Sequence, residues 1–394
     1  MKYYLIAGEA SGDMHASLIM RALAERDPQA DFRFWGGDMM ASVGGCKVHD
    51  YRDTALMGFV EVVSKAGRLA RNLALCKTDL ISWQPDVVIL VDYPGFNLKI
   101  ARSAHKAGLK VCYYIAPKVW ASREGRVRAL RKYVDRLFVI FPFEVEWFRE
   151  RGIDPVYEGN PLIDNIESAL EDAPSKADFC CNNGLDPDRP VISLLAGSRV
   201  QEIAFLAPRY VRLAALLESD NRYAVLKNAQ LVLAAAPSVP GEVYESHFGA
   251  SPIKVVYGQT YQLLKISDAA AVASGTASLE AAVIGTPQVV CYGTNPLTYR
   301  IARAIMKVKY VSLANLILDR LIFKELLQDG CTAESIAAEL QRLTTDAGCR
   351  SRMLSDYAEV RTVMGGNAAA GRIADVIYRL SASDRDGSCS PIPD

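Results

Sequence analysis

The stretch DAAAVASGTASLEAAVIGTPQVVCY, residues Asp268–Tyr292, contains the pattern that decides the fold. Ala269–Ala273 is a short run of small apolar residues, which is typical of a buried parallel strand. A Gly/Ser/Thr turn at Ser274–Ala277 leads into a helical pattern, and a second strand follows at Gln288–Tyr292. A strand, a tight turn and a helix N-terminus form a phosphate site, because free N–H groups and the helix dipole point outward. This stretch therefore predicts a βαβ unit that holds a phosphate.

Five residues around the turn are candidate ligand contacts. Ser274 offers a hydroxyl, Gly275 lets backbone come close to a ligand, Thr276 is the predicted N-cap, and the helix begins at Ala277. With this cap, a capping-box acid would fall one residue before Glu280, so the cap does not explain that carboxylate. It lies one turn from the phosphate site, where it could accept hydrogen bonds from a ribose diol. The alternative is an ordinary βαβ unit with an exposed glutamate.

Composition excludes several classes of protein. The chain has 394 residues, half of them hydrophobic, which predicts two or three globular domains. Lys+Arg and Asp+Glu are both 45, so no net field attracts nucleic acid. Nine cysteines without a CxxC pair argue against a disulfide framework and a zinc site. The apolar run Tyr3–Ala7 is too short for a signal peptide, and no stretch is long enough to span a membrane. We expect a cytoplasmic protein whose contact with membranes, if any, is at a surface.

Strands and helices alternate in both halves of the chain. The predicted strands are Lys2–Ala7, Phe32–Trp35, Asp86–Val91, Lys110–Ile115 and Arg136–Ile140, then Val191–Leu195, Leu231–Ala236, Ile253–Tyr257, Ala269–Ala273 and Gln288–Tyr292. The polar stretch Glu171–Pro190 is interpreted as the connection between two domains. This rhythm predicts an α/β fold of two Rossmann-like, doubly wound domains facing across a cleft, with a helical C-terminus. The predicted domains are 1–165, 166–350, and 351–394, the last comprising helices and a polar tail.

Carboxylates follow two strands of the first domain. Asp92 ends a strongly apolar strand and precedes a Pro/Gly turn, a position suited to a general base. The alternative is a helix-capping aspartate, but Asn97 already offers a cap. Glu9 and Asp13 lie in the loop Gly8–Asp13 after the first strand, which matches neither dinucleotide nor P-loop patterns. These two acids suit recognition of sugar hydroxyls, or a plain βα turn.

The second domain repeats the strand–turn–helix pattern at its first strand. Gly197, Ser198 and Arg199 follow Val191–Leu195, and Arg199 could clamp a diphosphate bidentately while Ser198 and backbone N–H groups add donors. Glu202 at i+3 offers the alternative of a surface Arg–Glu pair of little energetic weight.

Two further patterns, a pair of Asp-x-Asp triplets and the stretch Pro117–Trp120, each allow two interpretations. The triplets Asp186–Asp188 and Asp384–Asp386 resemble metal motifs, but neither follows a buried strand, so solvated loop acids are the better interpretation. Pro117–Trp120 ends another strand of the first domain, where Lys118 and Trp120 are candidates to line the cleft. Core packing explains Trp120 equally well.

The motifs taken together resemble the lipid-A-disaccharide synthase family, inverting glycosyltransferases of the GT-B fold. The resemblance runs from Gly8 to Gln328 and rests on GEASGD, ALMGFVEV (Ala55–Val62), DYPGFN (Asp92–Asn97), PKVW, GNPL (Gly159–Leu162), GSR, SGTASLE, YVSLANL (Tyr310–Leu316) and KELLQ (Lys324–Gln328). The family usually has proline where this chain has Ala196 and Ala314. It also has VWAW where this chain has Val119–Ser122, which removes an expected aromatic side chain from the cleft.

The resemblance implies the reaction and its substrates. A 2,3-diacylglucosamine unit would pass from UDP-2,3-diacylglucosamine to 2,3-diacylglucosamine 1-phosphate, giving a β-1,6-linked disaccharide 1-phosphate and UDP. No cofactor and no metal would be needed. Asp92 would be the base, with Glu9 and Asp13 next in line, and Asn315 would lie near the donor site. The family also suggests a homodimer formed through the C-terminal region.

Two other functions are compatible with the same architecture. A UDP-sugar 2-epimerase would use similar phosphate sites, and a non-catalytic sugar-nucleotide binder would need no base at Asp92. The epimerase would require acid/base carboxylates and a histidine close to the sugar.

Acylated substrates predict peripheral association with the inner membrane through Met57–Trp83. This stretch combines apolar residues at helical spacing with a basic flank. The apolar residues are Phe59, Val62, Val63, Ala66, Leu69, Ala70, Leu73 and Leu80; the basic ones are Lys65, Arg68, Arg71 and Lys77. The alternative is a helix that buries the same stripe against its own sheet.

Overall fold

The chain divides into two structural units, each built on one parallel sheet. The structure is a computed structural model that describes residues 1–55, 62–120, 123–293, 309–365 and 368–382. Unit 1 comprises Met1–Pro161 and Gly365–Asp394, and unit 2 comprises Leu162–Met364. The predicted pair of Rossmann-like domains is confirmed, but its boundaries differ from those expected. The region 351–394 is divided between the two units and forms no domain of its own.

Unit 1 has a seven-stranded sheet in the order β3-β2-β1-β4-β5-β6-β7, with every neighbouring pair parallel. Its strands are β1 Lys2–Ala7, β2 Asp31–Gly36, β3 Cys46–Asp50, β4 Val87–Val91, β5 Lys110–Tyr114, β6 Arg136–Val139 and β7 Val156–Tyr157. Its helices are α1 Ala10–Arg26, α2 Asp38–Val43, α3 Arg52–Ala55, α4 Val62–Trp83, α5 Pro94–Lys106, α6 Val127–Tyr133 and α7 Pro142–Arg149. The strand order reverses between β1 and β4, where Ala7 pairs with Val91.

The last helix among the described residues, Ala369–Ala382, belongs to unit 1. Its residues Ile373, Ala374 and Ile377 are buried in one core cluster with side chains from β1, β2, β4 and α1. Lys110 Nζ donates to the carbonyl of Leu380 at 2.9 Å, which fixes the end of this helix beside β5. Apolar periodicity alone shows a helix here but not which sheet it covers.

Unit 2 has a six-stranded parallel sheet in the order β10-β9-β8-β11-β12-β13. The strands are β8 Val191–Leu195, β9 Gln230–Ala235, β10 Lys254–Tyr257, β11 Ala269–Ala273, β12 Gln288–Tyr292 and β13 Glu325–Leu327. The helices are α8 Pro161–Leu170, α9 Lys176–Asn182, α10 Val200–Ser219, α11 Gly241–Phe248, α12 Thr260–Ile266 and α13 Thr276–Ile284, followed by Leu313–Ile317, Ala333–Thr345 and Ala347–Val363.

The order of this sheet reverses between β8 and β11, where Leu195 pairs with Val272. All five residues of each of these two strands are buried. That burial explains why both were recognisable as unbroken apolar runs.

The interpretation of Glu171–Pro190 as the connection between the two domains is wrong, because the stretch lies within unit 2. It contains α9, capped by Ser175, whose hydroxyl accepts the N–H of Asp178 at 3.2 Å. Phe179 and Cys180 of this helix are buried in the core of unit 2. The stretch is therefore part of unit 2, and its two buried side chains were hidden among polar neighbours.

The described part of α4 packs against the sheet of unit 1. Leu73, Cys76 and Leu80 are buried in the second core cluster of that unit, and Leu69 packs against it. For Leu69, Leu73 and Leu80 the predicted membrane stripe is wrong, because these side chains pack in the core of unit 1. The predicted contacts Met57, Phe59 and Val60 lie outside the described residues. Within the described ranges no helix is long and apolar enough to cross a membrane.

Candidate functional site

The first candidate site lies in unit 2, where the strand order reverses. Ligands of open parallel sheets bind beyond the carboxyl ends of the strands at such a point. The loop Ala196–Arg199 follows β8, and the loop Ser274–Gly275 follows the adjacent β11. The topology thus brings the two predicted phosphate loops to the same edge of one sheet.

The helix after β11 starts one residue earlier than predicted. Helix α13 begins at Thr276 and its N-cap is Gly275, so the expected Thr276 cap is wrong. Gly275 has a φ of +154°, which a residue with a side chain rarely adopts, and an added Cβ would meet no heavy atom within 4 Å. Gly275 and Thr276 are exposed, Ser274 and Ala277 half-buried. The first-turn N–H groups of α13 lack intrahelical acceptors and are oriented for an anion.

The loop after β8 is organised by Glu202. Its Oε2 accepts the N–H of Ser198 at 3.0 Å, and its Oε1 accepts from Arg199 Nη1 at 3.3 Å. Gly197 has a φ of +96°, and an added Cβ would lie 2.3 Å from Glu202 Oε2, so glycine is required there. The Arg199 side chain is 80% exposed. An ion pair this exposed is weak, so Arg199 can exchange Glu202 for a ligand phosphate at little cost.

Glu280 is half-buried on the second turn of α13. Its Oε1 accepts the hydroxyl hydrogen of Tyr261 at 3.2 Å. Burial raises the pKa of Glu280, and the hydrogen bond from Tyr261 lowers it by a smaller amount. The side chain is therefore neither a capping residue nor the exposed glutamate of the alternative interpretation. A second donor, such as a ribose hydroxyl, would relieve the cost of burying its charge.

Asn315 is completely buried and fully engaged by protein groups. Its Nδ2 donates to Glu325 Oε1 at 2.9 Å and to the carbonyl of Phe323 at 3.2 Å, while its Oδ1 accepts the N–H of Ile322 at 2.9 Å. These bonds tie the helix Leu313–Ile317 to the start of β13. The geometry supports a role in positioning this segment, not direct contact with a ligand.

Glu325 is a residue of this site that sequence reasoning missed. Its carboxylate accepts the N–H groups of Val311 and Ser312, at 3.1 and 2.8 Å, and the Ser312 hydroxyl at 2.5 Å, besides the bond from Asn315. The carbonyl of Val311 accepts from Ser274 Oγ at 3.4 Å. Glu325 therefore holds the segment that contacts the phosphate turn. It stood in the KELLQ motif, but nothing in its spacing indicated four donors.

The second candidate site lies in unit 1, at the reversal between β1 and β4. Asp92 and Tyr93 follow β4 with φ of +43° and +45°, a left-handed conformation that non-glycine residues seldom adopt. Tyr113 Oη donates to the carbonyl of Asp92 at 2.5 Å. Asn97 Nδ2 donates to the same carbonyl at 2.9 Å and to that of Val91 at 3.2 Å. These two side chains hold the strained turn in place.

The expectation that Asn97 caps the following helix is wrong. Helix α5 begins at Pro94, and Asn97 lies inside it, completely buried. Proline at the first helical position needs no N–H partner, so the helix starts earlier than the polar residues indicated.

Asp92 has the electrostatics expected of a base. Burial raises its pKa and the nearby charge of Glu9 raises it further, whereas Lys118 and Arg126 lower it. Glu9 is exposed, precedes α1 and accepts the hydroxyl hydrogen of Ser11 at 2.9 Å. The predicted loop Gly8–Asp13 is shorter than expected, since α1 begins at Ala10. Glu9 thus lies near Asp92 and acts on its titration.

Asp13 occupies a different environment from Asp92. It is 3% exposed, and its carboxylate accepts the N–H groups of Gly37 at 2.6 Å, Met39 at 3.1 Å and Met40 at 3.3 Å. Both oxygens are engaged at the N-terminus of α2, where a carboxylate stabilises the exposed N–H groups and the dipole. The contacts favour a structural role for Asp13 over the catalytic one predicted.

A fourth carboxylate of unit 1, Glu144, was not predicted from the sequence. Glu144 lies in the first turn of α7, 1% exposed, and accepts from Trp120 Nε1 at 2.9 Å and from the N–H groups of Phe141 at 3.0 Å and Ile140 at 3.2 Å. Burial raises its pKa to about 7. Its sequence context, PFEVEW, looks like an ordinary helix start. Among the described residues no group of three or more His, Cys, Asp or Glu side chains could hold a metal ion.

Comparison with solved structures defines the class of fold. A putative UDP-N-acetylglucosamine 2-epimerase from Listeria monocytogenes superposes with a TM-score of 0.66 at 14% identity, covering 98% of this chain and 97% of that one. The calicheamicin glycosyltransferase CalG4 superposes with a TM-score of 0.56 at 16% identity, covering 96% and 98%. The chain therefore has the two-domain fold of GT-B glycosyltransferases and sugar-nucleotide epimerases.

Sequence comparison then identifies the family. Residues 3–362 match the family described as lipid-A-disaccharide synthetase. The lipid-A-disaccharide synthase of Geobacter metallireducens is 36% identical over 383 residues, covering 97% of each chain. That of Myxococcus xanthus is 38% identical over 380 residues, covering 95% of this chain and 96% of the relative. The chain belongs to the lipid-A-disaccharide synthase family and is a glycosyltransferase of lipid A biosynthesis.

Proposed function

We propose that this enzyme transfers 2,3-diacylglucosamine from UDP-2,3-diacylglucosamine to the 6-hydroxyl of 2,3-diacylglucosamine 1-phosphate. The products are the β-1,6-linked disaccharide 1-phosphate and UDP. The observation that carries this proposal is the family match over residues 3–362, whose motif residues lie at the carboxyl ends of both sheets. Half-buried carboxylates with raised pKa values, Asp92 in unit 1 and Glu280 in unit 2, supply the groups such a reaction needs.

Unit 2 is assigned to the donor. The N–H groups of the first turn of α13, with Ser274, receive the diphosphate, and Arg199 adds a bidentate cation. Their positive charge stabilises the UDP that leaves as negative charge develops on its β-phosphate. Glu280 accepts the ribose hydroxyls. Asn315 and Glu325 keep the neighbouring segment in position against Ser274.

Asp92 is assigned as the general base. Its carboxylate takes the proton of the acceptor 6-hydroxyl as that oxygen attacks the anomeric carbon from the face opposite UDP. The new C–O bond forms while the bond to the diphosphate breaks, so configuration at the anomeric carbon inverts. Burial and Glu9 raise the pKa of Asp92, which brings the base nearer the working pH and makes it a better proton acceptor.

Peripheral association with the inner membrane and dimerisation are further parts of this proposal. Both substrates carry fatty chains, so an enzyme bound at the bilayer surface would not need to extract them completely into water. The side chains of Leu73 and Leu80 in α4 are buried in the core of unit 1, so the candidate contact is the start of the predicted stretch, around Met57–Val60. The dimer through the C-terminal region rests on the family resemblance alone.

One incubation separates this function from its alternatives. The protein is mixed with UDP-2,3-diacylglucosamine, with and without 2,3-diacylglucosamine 1-phosphate. The products are identified by mass, and the configuration of the sugar ring by NMR, because a 2-epimer has the same mass as the donor. Disaccharide 1-phosphate formed only with acceptor supports the proposal. A 2-epimer formed without acceptor would establish the epimerase, and bound but unchanged donor would establish a sugar-nucleotide binder.

A further inference from the structure

A cavity of about 300 Å³ opens at the carboxyl ends of β4, β5 and β6 in unit 1. Asp92 lines it after β4, Lys118 after β5, and Glu144 from α7 after β6. Arg126 completes it from the short 3₁₀ helix Glu124–Arg126. This volume is at the lower end of the range for ligand pockets, so it suits a sugar headgroup without its acyl chains.

The two cations of this cavity have no carboxylate partner in the part of the chain that the structure describes. Among the described residues neither Lys118 nor Arg126 forms an ion pair within 4.0 Å. Arg151, in contrast, pairs with Glu124 on the same 3₁₀ helix at 2.8 Å. Lys118 is exposed and Arg126 half-buried, so both charges remain available to a ligand at the rim and wall of the cavity.

The carboxylates of the cavity do not neutralise these cations by contact. Glu144 uses its oxygens for Trp120 and for two backbone N–H groups. Asp92 is more than hydrogen-bond distance from both cations, although each lies close enough to favour its charged form. The cavity therefore holds two positive charges beside the proposed base, which suits a ligand group of about −1.5 to −2 charge, such as a phosphomonoester.

We propose that Lys118 and Arg126 bind the phosphomonoester of the acceptor, in the same cavity in which Asp92 receives the proton of its hydroxyl. The proposal rests on the proposed function, because that acceptor carries the hydroxyl and the phosphate on one glucosamine ring. Arg126 supplies a planar fork for two phosphate oxygens and Lys118 a mobile point charge. Binding the phosphate here would hold the sugar at both ends and orient its 6-hydroxyl toward Asp92.

The test compares acceptors with and without phosphate. Lys118→Gln and Arg126→Gln are each matched to a control on an exposed residue that does not line the cavity, Lys99→Gln and Arg128→Gln. Equilibrium binding of 2,3-diacylglucosamine 1-phosphate, of dephosphorylated 2,3-diacylglucosamine and of UDP is measured for all five proteins in the same detergent. Circular dichroism verifies that each variant is folded.

The expected result is specific to the phosphorylated acceptor. Each cavity variant should bind it about tenfold or more weakly, and bind the dephosphorylated acceptor and UDP within about twofold of the unmodified protein. Equal losses for both acceptors, or loss of UDP affinity, would overturn the assignment. The cavity variants could lose the preference for the phosphorylated acceptor while the unmodified protein forms no disaccharide. That result would support the phosphate subsite and contradict the proposed transfer reaction. If the unmodified protein forms the disaccharide and the cavity variants keep their preference for the phosphorylated acceptor, the transfer reaction is supported and the phosphate subsite is contradicted.

Discussion

Replacing the half-buried carboxylate Glu280 by its neutral isostere tests the donor site most directly. Glu280→Gln keeps the shape of the side chain and the contact with Tyr261 but removes the charge that should accept the ribose hydroxyls. A hydrogen bond to a charged group is worth about 1.5–3 kcal/mol. Affinity for UDP should therefore fall by roughly 10- to 150-fold. Isothermal titration calorimetry at neutral pH measures this change, with the exposed Glu218→Gln as control.

The pH dependence of Glu280 gives a second signature with a definite sign. Because burial raises its folded-state pKa, the ionised carboxylate costs stability once the pH exceeds its unfolded value, and the cost is complete above the folded pKa. Glu280→Gln should therefore be as stable as the unmodified protein or more stable at neutral pH, with the difference shrinking on acidification. Affinity for UDP should fall on acidification, starting above the pH at which an ordinary glutamate titrates. Tyr261→Phe should move that fall to higher pH, since it removes the bond that lowers the Glu280 pKa.

A nucleotide without ribose hydroxyls tests whether Glu280 binds the ribose of UDP. Glu280→Gln should not weaken binding of 2′,3′-dideoxy-UDP. This nucleotide has no ribose hydroxyls, so it makes no hydrogen bond through them to the unmodified protein or to the variant. If the variant binds UDP as well as the unmodified protein does, Glu280 does not hold the ribose. An equal loss for both nucleotides would point to a general disturbance of α13.

Three further outcomes are expected. Asp92→Asn should keep UDP affinity and lose about 10²-fold or more in turnover, and near-normal turnover would transfer the base role to another group. Glu325→Ala should lower the free energy of unfolding in urea by about 2–3 kcal/mol and weaken UDP binding, because four donors of the segment Val311–Asn315, which contacts Ser274, lose their acceptor. Unchanged affinity for UDP would mean that Glu325 has a structural role only. The double variant Phe59→Ser, Val60→Ser should float less with anionic liposomes than the unmodified protein. The control Met39→Ser, at an exposed residue elsewhere in unit 1, should float normally. If the double variant also floats normally, the membrane contact around Met57–Val60 is excluded.

The central strands were predictable because burial on both faces makes each one an apolar run. Val191–Leu195, Ala269–Ala273 and Gln288–Tyr292 have the predicted bounds. The edge strand Cys46–Asp50 was missed because its residues are exposed or half-buried and mostly polar. Predicted helix starts were wrong where the N-cap residue makes no side-chain capping hydrogen bond, as at Tyr93 before α5 and Gly275 before α13.

The sequence predicted where the candidate site residues lie better than it predicted what each residue does. Motifs after strands identified Asp92, Glu280 and Arg199, because the carboxyl ends of parallel strands converge whatever the side chains do. Whether a carboxylate is free to react depends on its hydrogen-bond partners, which come from distant segments. Asp13 and Glu325 are occupied by backbone N–H groups, and no spacing in the sequence reveals that.

The return of the C-terminal helix to unit 1 has a consequence for synthesis on the ribosome. The sheet of unit 1 is translated first, yet Ile373 and Ile377, which close its core, follow after the whole of Leu162–Met364. At about 5–20 residues per second, translation of those ~200 residues leaves that apolar face uncovered for roughly 10–40 s. Unit 2 is continuous and can fold in this interval. The half that holds Asp92 is therefore completed last, and a nascent chain cannot carry out transfer before nearly all of it has been made.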